Sequence, residues 1–219
     1  LKEPLHIRYI KYIQNMFTFT FGVSFLSRQP VILEMIPRLS CSVLLLGTAM
    51  LVEPLFGIPL GILAASKRKT KIDVAVIGSG LFAHGVPAFF VYILVLLFLV
   101  YFFYVSFGFT FFPTAGMTSV PPPKETLAYI SDVAWHMALP ILAMLIKAFG
   151  SWALYTRNLM IDALTQDYVV TARAKGLSER TVLYRHAFRS TLPPIATMLA
   201  LHVPGIVDGA MILEFIFSW

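Results

Sequence analysis

Between Asp162 and Arg189 the chain reads DALTQDYVVTARAKGLSERTVLYRHAFR, a polar, helix-forming stretch set between long apolar runs. Counted from Arg157, it carries six Lys and Arg against three acids. Its chemistry is that of recognition, through charge, caps and shape. At its center, Ala172-Arg173-Ala174-Lys175-Gly176-Leu177-Ser178-Glu179 reads as helix, glycine stop, serine cap and new helix. Gly176 can take the left-handed conformation that ends a helix, and Ser178 can cap the next one with Glu179 in its first turn. This predicts a compact helical elbow, suited to passing motion to or from a soluble partner. On charge alone, a solvated, positive-inside connection with helical ends is the favored reading.

A second group of residues stands out by its surroundings. Glu53, Lys147 and Asp208 lie inside apolar runs, where a charge at mid-membrane costs roughly 2.5 to 3.5 kcal/mol on insertion scales. Glu53 falls about 18 Å from the Ala65 end of its run and Lys147 about 15 Å from Arg157. Ala49, Glu53, Gly57 and Gly61 share one helix face, and Ala143, Lys147, Gly150, Ser151 and Leu154 share another, both with the small residues of a packing face. The matched depths predict that Glu53 and Lys147 pair inside the bundle, directly or through water. A polar patch lining a pathway, able to meet substrate termini, is the alternative. Asp208 and Glu214 fall near the far end of the last run, with Gly205 and Gly209 as a small-residue contact face; external hydration accounts for Asp208, and for Glu214 an outer-gate or packing role stands beside hydration. His84, His136 and His202 are too scattered for a metal site and read as packing residues. No nucleophile–base constellation appears either.

Both groups depend on long apolar helices. The chain is 58% hydrophobic and 13% charged, against about a quarter charged in soluble domains, which makes it an all-α integral membrane protein. Four runs reach the roughly 20 residues a span requires: about 39–65, 74–104, 133–156 and 192–217. The net charge of +6 reports orientation and implies no nucleic acid. Lys67, Arg68, Lys69 and Lys71 make one basic loop and residues 157–190 the other, so both are placed in the cytoplasm. Residues 106–132, with Lys124 against Glu125 and Asp132, are placed outside. By the same parity, residues 1–37 form an extracytoplasmic segment, amphipathic over Leu1 to Phe25, and residues 38–219 the transmembrane domain. Pro54, Pro59, Pro87, Pro140 and Pro204 interrupt the runs and can kink them. The rigid, proline-rich loop from Phe107 to Pro123 is expected to pack at the outer mouth. The single cysteine, Cys41, can make no internal disulfide. Lacking an initial methionine and ending within a span, the chain is expected to be a fragment of a longer parent.

Gln166-Asp167-Tyr168-Val169, then Thr171 through Arg180, then Arg185-His186-Ala187 resemble the "EAA" loop of bacterial and archaeal ABC importer permeases. The dipeptide and oligopeptide branch is most similar, with further agreement at Gly22 to Pro30, at Gly57-Ile58-Pro59-Leu60-Gly61 and at Glu214 to Trp219. Val170, Thr171 and Ala172 stand where the general pattern has Glu and two Ala, and His186, Phe188 and Arg189 stand where it has Ile, Leu and Pro. The resemblance implies a polytopic bundle of about six spans, four of them here. It also implies a coupling helix in which Thr171, Ala172, Arg173, Lys175, Gly176, Leu177, Ser178 and Glu179 dock on an ATPase. The implied partners are a sister permease, two ATP-binding subunits and an extracytoplasmic substrate-binding protein, in the cytoplasmic membrane and in contact with lipid.

No GxxxxGK[ST] phosphate loop occurs in the sequence, so ATP and Mg are expected on the partners, with no cofactor or catalysis in this chain. Peptides or related cargo such as nickel or glutathione are the implied substrates. A rival reading is an ion-coupled secondary transporter with Glu53, Lys147 and Asp208 as its relay. Inverted halves would favor it, and the sequence shows no internal repeat.

Overall fold

The computed structural model describes residues 3–208 and 210–219, the side chains at 207 and 208 excepted. Its regular elements, among the described residues, are helices, with one isolated bridge between Val23 and Pro30. The bundle is organized around two long helices, α2 (Val31–Ser66) and α6 (Thr126–Leu164), which form its most extensive contact. At about 1.5 Å per residue they are roughly 54 and 58 Å long, more than the hydrocarbon thickness, so each extends beyond the membrane core.

Glycines let these helices approach closely. A Cβ on Gly57 would lie 2.2 Å from the Cβ of Trp152, and one on Gly61 would lie 2.5 Å from the Ala153 carbonyl oxygen. The small-residue face expected on the first span is therefore the α2–α6 seam. Gly205 behaves differently, with nothing within 4 Å of the position a Cβ would take. Gly209, its expected partner, lies outside the described residues.

The second apolar run is not one helix. It divides into α3 (Lys71–Gly85) and α4 (Ala88–Leu96), and α4 continues through a π-helical segment, Leu97–Phe102, into α5 (Phe103–Phe107). Val86 is extended, with φ −75° and ψ 134°, and Pro87 supplies no N–H with which to resume the α3 ladder. Pro54, Pro59, Pro140 and Pro204 remain inside helices. By length and composition, three helical stretches among the described residues can cross a membrane: Val31–Ser66, Ala88–Phe107 and Thr126–Leu164.

The fourth expected run is also divided, into α9 (Phe188–Asp208) and α10 (Met211–Ile216). After α10 the chain folds back. The Trp219 indole N–H donates to the Cys41 carbonyl at 3.0 Å, and the Gly116 amide donates to the Phe217 carbonyl at 3.0 Å. Leu213 and Phe217 join Leu45, Val91, Val95, Met137 and Leu139 in one buried cluster. Glu214 is not a freely hydrated acid, because its Oε1 is buried. The proline-rich loop is held by Phe112 stacked on Trp135, with ring centroids 5.0 Å apart, and by two hydrogen bonds from Ser119 to the Asp132 carboxylate. The amphipathic N-terminal segment forms α1 (Leu5–Phe17), none of whose residues is buried.

Candidate coupling site

The elbow forms as its local chemistry predicts. α7 (Asp167–Ala174) ends where Gly176 adopts φ +76°. The Gly176 amide donates to Arg173 O at 2.9 Å and the Leu177 amide to Ala172 O at 3.4 Å, closing the helix end. The Thr181 amide donates to Ser178 Oγ at 3.4 Å, so Ser178 caps α8 (Glu179–Thr181). A π-helical segment, Val182–Ala187, then leads directly into α9.

Two faces distinguish the elbow from a solvated connection. Its inner face, Val169, Ala172, Val182 and Ala187, is buried against Ile62 and Ala65 at the end of α2 and Met160 and Ala163 near the end of α6. Tyr168 and Ser190 share a hydroxyl hydrogen bond of 2.7 Å, which joins α7 to α9. The outer face presents Arg173, Lys175, Gly176, Leu177, Ser178 and Glu179, all exposed. The Arg173 guanidinium donates to both Glu179 oxygens, at 2.9 and 3.3 Å, bracing one arm of the elbow against the other. Of the expected docking residues, Ala172 faces inward and is 4% exposed, whereas Thr171 is exposed and bonds its own helix at Asp167 O. A cleft of about 450 Å³ lies between the elbow and the ends of α2 and α6, edged by Ser66, Lys67, Arg173, Glu179, Arg180 and Tyr184.

Beside the elbow sits an ion pair that the sequence did not single out. Arg157 donates to both oxygens of Asp73, at 2.5 and 2.9 Å, and the Lys69 amide donates to Asp73 Oδ2 at 2.9 Å. Both side chains are largely buried, at 14% and 4% exposure. The Arg157 hydrogen bond holds the Asp73 carboxyl below its ordinary range, against the opposing effect of burial, and the Lys69 amide and nearby positive charge assist. A lone acid at the start of a helix, within a run of four Lys and Arg, was the available signal.

The structure separates the intramembrane residues that matched depth had paired. Glu53, 7% exposed, accepts from the Trp152 indole N–H at 3.4 Å, and the His202 ring packs at a tilt against Trp152 with ring centroids 5.3 Å apart. Lys147 Nζ donates instead to the carbonyls of Ala83, His84 and Val86, at 2.9, 2.7 and 2.6 Å. An ammonium has three N–H donors, so these contacts occupy all of them. Depth along a helix is set by residue number, but which neighbor a side chain meets is set by rotation about the axis. Lys147 faces α3, whereas Glu53 faces Trp152. The Asp208 side chain lies outside the described residues.

Comparison with known proteins adds a second line of observation. Residues 57–219 match the family described as binding-protein-dependent transport system inner membrane component. The chain is 30% identical to the oligopeptide transport system permease protein AppB of Bacillus subtilis, covering 100% of this chain and 66% of that protein. It is 37% identical to the peptidoglycan transport system permease protein YejB of Agrobacterium fabrum (99% and 59%) and 30% identical to the dipeptide transport system permease protein DppB of Escherichia coli K12 (100% and 68%). The chain therefore spans about three fifths to two thirds of these relatives' lengths.

Proposed function

This chain belongs to the family of binding-protein-dependent transport system inner membrane components, and from that premise we propose that it is a permease subunit of an ATP-driven peptide importer whose elbow docks on a separate ATPase. The observation that carries the reading is the two-faced elbow. Val169, Ala172, Val182 and Ala187 seat it on the ends of α2 and α6, while Gly176, Leu177 and Ser178 stand exposed at its turn. A force applied at the turn passes through close-packed side chains into the two longest helices, because packed interiors transmit strain.

In this account a sister permease completes the pathway, and two ATP-binding subunits hold ATP and Mg. An extracytoplasmic binding protein delivers a di- or oligopeptide, the cargo class in the names of the AppB and DppB relatives. The chain itself performs no bond chemistry. Its work is alternating access, in which closure of the ATPases pulls the elbow and repacks the spans.

The placement of Lys147 weighs against the ion-coupled rival. A relay group must exchange its proton, whereas this ammonium is held by three carbonyls. The test is uptake in cells carrying Leu177→Asp in the full-length protein. The proposal requires uptake to fail while the amount of protein in the membrane stays at the wild-type level. Normal uptake in that variant would remove the docking role.

A further inference from the structure

The bend between α3 and α4 leaves backbone acceptors without their helical donors, and one side chain takes them over. Ala83 O would accept from the amide of residue 87, but Pro87 has none. Val86 O would accept from Phe90, yet the Phe90 amide donates to Pro87 O at 3.1 Å. Extended backbone at Val86 also takes His84 O out of the ladder. These three oxygens converge on Lys147 Nζ. A cation at a helix C-terminus is also favored by the helix dipole, which explains a lysine inside a span whose hydrogen-bond partners, among the described residues, are carbonyls.

The two sides of the bend are held unequally. On α6, Arg157, Gly150 and Lys147 fall at spacings of seven and three, on one stripe. Arg157 grips Asp73 at one end of α3, Gly150 packs on Gly80 in the middle, and Lys147 holds the far end. Beyond the bend, α4 has room beside it. An apolar cavity of about 450 Å³ opens there, lined by Phe82, Val86, Phe90, Leu94, Ile146 and Phe149 among others.

We propose that Lys147 is the pin of an intramembrane hinge, with α3 fixed to α6 and α4 turning about Val86 and Pro87 at the edge of the apolar cavity. Its ammonium replaces the donors that Pro87 removes, so the bend persists without leaving bare carbonyls in the membrane. The turning of α4 during transport rests on the importer reading; the pinning of the bend does not.

The test uses spin labels at Leu81→Cys on α3 and Tyr101→Cys beyond α4, in a Cys41→Ser background of the full-length protein in lipid nanodiscs. Without nucleotide, the wild type should give one narrow distance, and Lys147→Met should lose it to a broad distribution. Pro87→Ala supplies an amide that can donate to Ala83 O once Val86 turns helical, so adding it to Lys147→Met should replace the broad distribution with a narrow distance, that of a continuous helix. A narrow distance in Lys147→Met alone would overturn the pin. If Lys147→Met does not accumulate, recovery of folded protein in the double variant supports the pin and failure to recover overturns it. In the assembled importer, ATP should shift the distance. An unshifted distance with normal ATP-driven uptake would overturn the moving hinge and leave the importer reading intact. Absence of ATP-driven uptake in the wild type would count against the importer reading, while the nucleotide-free comparison still decides the pin.

Discussion

Gly150 of α6 lies against Gly80 of α3 so closely that a Cβ on Gly150 would come within 2.4 Å of the Gly80 Cα. The obstruction is backbone, which cannot rotate away as a side chain can. This crossing sets the distance between α3 and α6 and, through it, the positions of Lys147 and Arg157.

Gly150→Val should therefore force α3 and α6 apart. Overpacking of a tight core costs about 1 to 3 kcal/mol, and here the displaced backbone also pulls Lys147 from its carbonyls. The expected result is a sharp fall in the fraction of protein that stays monodisperse in mild detergent. Gly205→Ala, at a position with nothing within 4 Å, should leave that fraction unchanged. Equal behavior of the two variants would contradict the packing described.

The Asp73–Arg157 pair should make stability depend on pH in one direction. The Asp73 carboxyl lies below its ordinary value of 3.8 in the folded protein, so the folded state binds protons more weakly than the unfolded state. The pair's contribution is full above the ordinary value and is lost as pH falls through the depressed one. Asp73→Asn should lower stability at neutral pH by on the order of 3 kcal/mol, the lower end of the range for breaking a buried pair. Its deficit relative to wild type should shrink in acid. Thermal unfolding of both proteins in detergent from neutral to acidic pH measures this, and a constant deficit would contradict the assignment.

Arg173 and Glu179 should behave differently, because they are 42% and 73% exposed. Exposed pairs contribute about 0.2 to 1 kcal/mol, so Arg173→Gln should leave the thermal midpoint of the protein nearly unchanged. Its effect should appear in uptake, since the pair braces the two arms of the elbow. A large loss of thermal stability without a transport defect would reverse that assignment.

The elbow was legible because its determinants are local. A glycine with positive φ followed two residues later by a serine cap specifies helix, turn and helix from neighboring residues alone. The break at Gly85 to Pro87 was not, because the same apolar run also reads as one kinked helix, and Pro54 and Pro140 do sit inside continuous helices. What separates Pro87 from them is Lys147, sixty residues away in sequence, which stabilizes the carbonyls a break exposes. The pairing expected of Glu53 failed for a related reason. Sequence spacing fixes height in the membrane, but azimuth depends on how Gly57 and Gly61 seat α2 against Trp152 and Ala153. The end of the chain read as a single span because residues 192–217 form a continuous apolar run, yet hydrogen bonds to Cys41 O and from the Gly116 amide, made by Trp219 and Phe217, tie its end back onto the bundle.

Coupling of this chain to an ATPase through the turn at Gly176 is tested by co-purification. The full-length protein, tagged and extracted gently from native membranes, should bring down ATP-binding subunits and a second permease, identified by mass spectrometry. Gly176→Asp places a charged side chain at φ +76° on the exposed turn, and it should lose the ATP-binding subunits while retaining the second permease. Recovery of ATP-binding subunits at wild-type levels with Gly176→Asp, or their absence from the wild type under several mild detergents, would contradict the account.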